Sequence, residues 1–134
     1  MLRRILALPV AIAAALAVSA PSTNAAQSGA GEWDYKGVFP FVVKGTGAFP
    51  YETHAVYSGG GNLKVCIKTS TTADHYYLLT EWDPGTNIDE HVATRGSGCW
   101  EAIGLDRFVD GDNNRAEFYV ATSDSAAVSA QYWD

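Results

Sequence analysis

Hydrophobic and polar positions alternate with a period of two along most of the chain after residue 32, and few stretches longer than eight residues escape a turn signal. Leu63, Val65 and Ile67 face one way, with Lys64, Cys66 and Lys68 facing the other, as expected of a strand with one buried side. His75 to Trp82 opposes Tyr77 and Leu79 to Tyr76, Leu78 and Trp82. Arg115 to Thr122 turns Ala116, Phe118 and Val120 inward and Arg115, Glu117 and Tyr119 outward. Ala126 to Trp133 sets Val128, Ala130 and Tyr132 against Ser129 and Gln131. Shorter runs predict strands at Trp33 to Phe39, Thr53 to Tyr57 and Cys99 to Ile103. Pro40 lacks an amide hydrogen, so the first of these belongs at a sheet edge or bends into Phe41-Val42-Val43. Ile88 to Thr94 reads as a half-exposed strand or a helical turn, and Leu105 to Val109 as a paired strand or a loop.

The breaks carry turn chemistry. Ser58-Gly59-Gly60-Gly61-Asn62 resists regular structure. In Asp83-Pro84-Gly85-Thr86-Asn87 the proline presets one corner, and the glycine tolerates the positive φ of the next. Asp110-Gly111-Asp112-Asn113-Asn114 is a further tight turn. Short alternating segments spaced by such turns, with no convincing helical period, predict an all-β fold: an antiparallel β-sandwich, or a partly open barrel, of roughly seven or eight short strands.

The first residues do not follow this pattern. Arg3 and Arg4 precede an apolar run from Ile5 to Val18, followed by small residues. That order predicts a secretory signal peptide over residues 1–25, cleaved after Ala25 or, with a longer free tail, after Ala20. The apolar run is shorter than the roughly 20 residues of a spanning helix and contains Pro9. Residues 26–32 predict a flexible lead-in, and residues 33–134 a single β domain that is secreted and extracellular.

Export changes the meaning of the two cysteines. Cys66 and Cys99 predict one disulfide, since oxidising compartments hold thiols bonded. Because Cys66 shares a strand face with two lysines, the bridge is expected on the outer side of a sheet, away from the core. Two of the nine basic residues lie in the leader, leaving seven against fifteen acids and a formal charge of −8. Such a surface repels phosphate backbones and anionic headgroups, which argues against nucleic acid and, after signal cleavage, against a membrane. A monomer is expected.

Candidate chemistry is sparse. No Gly-x-Ser-x-Gly elbow or His-Glu-x-x-His is present, and His54, His75 and His91 lack the short spacing of a zinc pair. No catalytic residue and no cofactor is expected. Asp106, Asp110, Asp112 and Asn114, with Asn113 and Glu117 nearby, concentrate oxygen ligands as a calcium loop does. They lack the twelve-residue helix-loop-helix spacing, and turn chemistry accounts for the same residues. Paired acids such as Glu81 and Asp83 invite a glycosidase reading without fixing any separation across a cleft.

The aromatic content is the more telling feature. Tyrosine and tryptophan combine an apolar body with a polar tip that suits a half-wet surface. Tyr76, Trp82, Trp100 and Tyr119 are therefore the candidate ligand-binding aromatics. The sequence reads as a non-catalytic binding module for an extracellular glycan or cell-surface polymer. The alternatives are an inhibitor of an extracellular hydrolase, binding a secreted protein through Ser58 to Asn62 or Asp83 to Asn87, and a small secreted hydrolase.

Overall fold

A computed structural model describes residues 33–86 and 88–134. The signal peptide and lead-in expected over residues 1–32, and Asn87, lie outside the described residues. Ten strands follow in chain order: β1 (Tyr35–Pro40), β2 (Val42–Val43), β3 (Tyr51–Glu52), β4 (Val56–Ser58), β5 (Leu63–Thr69), β6 (Tyr77–Glu81), β7 (Glu90–Arg95), β8 (Gly98–Ala102), β9 (Ala116–Thr122) and β10 (Ala127–Trp133). One 3-10 turn, Leu105–Phe108, separates β8 from β9. The strands form two antiparallel sheets, ordered β1-β10-β5-β8 and β2-β3-β9-β6-β7, with β4 pairing β9 beside β3. No ladder joins the two sheets among the described strands, so the architecture is the expected sandwich and not a barrel.

The extra strands arise because two expected segments split. The stretch around Thr53 divides into β3 and β4, which pair with opposite ends of β9, while the Thr53 amide still donates to the Val120 carbonyl at 3.0 Å. Val42–Val43 separates from β1 after Pro40, and Pro40 lies at the end of an edge strand, where its missing donor costs no ladder bond. Of the two ambiguous segments, the one near residue 90 is the strand β7, and Leu105–Phe108 is a 3-10 turn whose Leu105 and Phe108 plug the core.

The core lies between the sheets. Leu63, Val65 and Ile67 of β5 and Ala130 and Tyr132 of β10 face Leu79 and Tyr77 of β6, Phe118 and Val120 of β9, and Val56 of β4. Phe118 meets Phe108 edge-on at 5.7 Å between ring centroids, and Phe39 meets Tyr132 the same way at 5.5 Å. Edge-to-face contacts of this kind add about 0.5–1.5 kcal/mol beyond the area they bury. The buried Tyr132 hydroxyl is satisfied by Thr53 Oγ1 at 2.7 Å, a hydrogen bond that links the two sheets.

Alternation fails at three places, each with a cause. A bulge between Tyr35 and Gly37, with Gly37 at φ 126°, turns Phe39 toward the core while Tyr35 lies outside, tilted against Trp133 at 5.2 Å between ring centroids. A second irregularity between Ala127 and Ser129 leaves Val128 43% exposed, although period two groups it with Ala130 and Tyr132, which are buried. Glu117, expected outside, is only 6% exposed because the Asp110–Asn114 turn folds over it.

The bridge between Cys66 and Cys99 is formed and lies where the lysines indicated. The two residues are directly opposite in the β5–β8 ladder, with Cα atoms 3.9 Å apart, on the outer face of their sheet. Among the described residues no cysteine is free.

Candidate functional site

The outer face of the second sheet carries an open cleft of about 360 Å³ lined by Lys44, Glu52, Thr53, His54, Ala55, Trp82, Asp89 and Tyr119. Its position follows from three breaks in regular pairing. The β3–β4 split presents Glu52 and His54 at the sheet surface. The end of β6 releases Trp82, whose amide still donates to the Glu117 carbonyl at 2.7 Å. The connection leading into β7 carries Asp89, and Tyr119 projects from the middle of β9 on the side away from Phe118 and Val120.

The cleft mixes ring surface with charge. Trp82 is 42% exposed. The Tyr119 hydroxyl donates to Asp89 Oδ2 at 2.8 Å, and burial, followed by that hydrogen bond to an anion, pushes its pKa above the ordinary phenol range. Burial also raises the Glu52 pKa, as does Asp89, while Lys44 works against the shift. The cleft therefore offers two aromatic side chains, two acids, a lysine and a histidine within one concavity.

Of the four aromatics named from sequence, Trp82 and Tyr119 line this cleft together. Tyr76 is 71% exposed and lies outside it. Trp100 is half-buried against the core, and its indole Nε1 is buried with no hydrogen-bond partner. The histidines separate: His54 lies in the cleft, His75 Nε2 is 3.8 Å from Asp124 Oδ1, and His91 Nε2 pairs with Thr94 Oγ1 at 2.9 Å. The sequence offers His54 only as an unpaired histidine with Glu52 beside it, and Lys44 and Asp89 join the two from separate connections that only the sheet brings together.

The oxygen-rich residues also disperse. Asp106 Oδ1 accepts the Gly61 amide at 2.8 Å, which ties the triple-glycine loop down, and Asp112 and Asn114 stand exposed. Asp110 instead joins Glu81 and Glu117, one carboxylate oxygen from each lying within 4.8 Å of the other two. Glu81, at the end of β6, is 4% exposed. Its pKa is pushed up to about 7 by burial, then by Asp110, Asp83, Glu117 and Asp89. Glu117 accepts a hydrogen bond at Oε1 from Asn113 Nδ2 at 2.6 Å.

Residues 35–132 match a family model described as "YndA coiled coil domain". The chain is 32% identical over 126 residues to a Bacillus subtilis (strain 168) protein named "Uncharacterized protein YndA", covering 92% of this chain and 89% of that one. No solved structure matches. Neither description names a reaction. The coiled coil in the family description has no counterpart in this fold: among the described residues of the matched stretch there is no α-helix, only strands and one 3-10 turn.

Proposed function

The chain belongs to the YndA family, and we propose that it is a small exported binding module that takes a glycan or cell-surface polymer on the Trp82–Tyr119 cleft. The observation that carries the reading is the placement of both side chains in one open concavity beside Glu52, Asp89, Lys44 and His54. Sugars present apolar C–H faces and a rim of hydroxyls. Aromatic surface accommodates the former, and charged side chains at hydrogen-bonding distance hold the latter. Export is supported by the leader pattern in residues 1–25 and by the disulfide, a bond that oxidising compartments sustain.

The test is retention of the purified chain on insoluble cellulose, chitin and peptidoglycan. At least one should retain it, and Trp82→Ala or Tyr119→Ala should each weaken retention by about tenfold, the equivalent of about 1.4 kcal/mol. Tyr76→Ala, which removes an exposed ring outside the cleft, should leave retention unchanged. Absence of retention on all three polymers, or equal loss in Tyr76→Ala, refutes the proposal.

The meeting of His54 with Glu52 and Asp89 favours one second reading, hydrolysis in the same cleft. It requires release of reducing ends from a retained polymer, abolished by Glu52→Gln. Binding without release leaves the module non-catalytic. A hydrolase inhibitor would present the Ser58–Asn62 loop, whose glycine amides are held by Asp134, Ser58 and Asp106, and failure to slow any of a panel of secreted proteases or glycosidases counts against it.

A further inference from the structure

We propose that Glu81, Asp110 and Glu117 form a binding site for a hard divalent cation, calcium before any other. The three carboxylates come from the end of β6, the turn before β9, and β9 itself, and one oxygen from each lies within 4.8 Å of the other two. Proximity of acids alone would not make a site. The deciding feature is Glu81: the residue is 4% exposed, and its Oε1 is sealed from solvent without any hydrogen-bond partner. A buried carboxylate oxygen left unpaired costs several kcal/mol unless the group takes up a proton or a positive charge faces it, and a bound cation would do the latter for all three acids at once. Among the described residues no lysine or arginine nitrogen lies within 4.0 Å of any of the three acids, so the protein supplies no such charge.

The donor set selects the ion. All three ligands are oxygens, with no sulfur or imidazole, a donor set that fits a hard cation better than zinc or copper. Calcium accepts about six to eight oxygens in flexible geometry, whereas magnesium demands a near-ideal octahedron, and three carboxylates carried on separate elements suit the former. Asn113 orients the Glu117 carboxylate through the bond to Oε1. Asp110 is exposed, giving the ion a path inward and room for the waters that complete its coordination. The proposal does not depend on what the Trp82–Tyr119 cleft binds.

The test uses the full chain after treatment with chelator, followed by thermal unfolding and calorimetry with calcium chloride alone and, in parallel, magnesium chloride alone. Calcium should raise the melting temperature saturably and release or absorb binding heat. Asp110→Asn and Glu117→Gln should each weaken the midpoint at least tenfold, and Asp112→Asn should leave it unchanged. Asp110 is exposed, so Asp110→Asn keeps the test sound even if a change at buried Glu81 prevents folding. Three results overturn the proposal: no shift and no heat up to about 10 mM calcium, a weak limit for such sites; loss of binding in Asp112→Asn but not in Asp110→Asn; or a magnesium response equal to that of calcium.

Discussion

Asp124 is 1% exposed, yet it receives hydrogen bonds from three directions, and replacing it should cost more than any surface change. Its Oδ2 accepts the Thr69 hydroxyl at the end of β5 and the Tyr77 hydroxyl at the start of β6, both at 2.6 Å. Its Oδ1 accepts the Ala126 amide at 2.8 Å within the β9–β10 connection. One side chain thus ties a strand of each sheet to the turn between two others. Asp124→Ala leaves the fully buried Tyr77 hydroxyl and the two other donors without their partner, at about 1–3 kcal/mol for each buried group, so a loss of about 3–5 kcal/mol is expected. That is a large share of the roughly 5–15 kcal/mol by which domains are stable. Asp124→Asn keeps the shape and one acceptor. The two hydroxyls can rotate to meet the amide, so the expected loss is smaller, about 1–2 kcal/mol.

The pH dependence follows from the same geometry. Burial acts to raise the Asp124 pKa, but the hydrogen bonds from Thr69, Tyr77 and Ala126, with His75 adding to them, outweigh it and hold the carboxyl below its usual 3.8. A depressed carboxylate contributes stability that is fully present above the unfolded value and is lost as pH falls through the folded one. Urea unfolding of the parent and Asp124→Asn should therefore show a gap at about pH 7 that narrows at about pH 3. A gap under about 0.5 kcal/mol at neutral pH, or one that is the same at both, would refute the argument.

Removing the disulfide by Cys66→Ala with Cys99→Ala should lower stability by roughly 3–4 kcal/mol on loop entropy, given a separation of 33 residues, while the β5–β8 ladder persists. Denaturant midpoints with far-UV circular dichroism check this, and a shift worth less than about 1 kcal/mol contradicts it. Gly60 has φ 101°, and an added Cβ would sit 2.6 Å from Asp106 Oδ1 and 3.0 Å from Val109 Cγ2, so Gly60→Ala should cost about 1–3 kcal/mol. Gly45→Ala, with nothing within 4 Å, should stay within about 0.5 kcal/mol, and equal melting shifts for the two would count against a backbone cause.

Period two and turn chemistry were enough to read the sandwich from the chain. Burial of alternate residues is a local property that any strand with one dry face displays, and Leu63, Val65, Ile67, Phe118 and Val120 are inside as their spacing requires. The same logic placed Cys66 outside with its lysines, because a side chain's face is set by its parity within the strand. Parity fails where a bulge inserts a residue: Gly37 and the Ala127–Ser129 irregularity reverse the faces of Phe39 and Val128 without any change in composition that marks them. Trp82 and Tyr119 stand out as polar-tipped rings, but 36 residues of chain lie between them, and only the β6–β9 pairing sets them in one cleft. Glu81 was visible as an acid and gave no sign of being sealed. Burial of a charged end residue is decided by which loop folds over it, and the Asp110–Asn114 turn arrives from far along the chain.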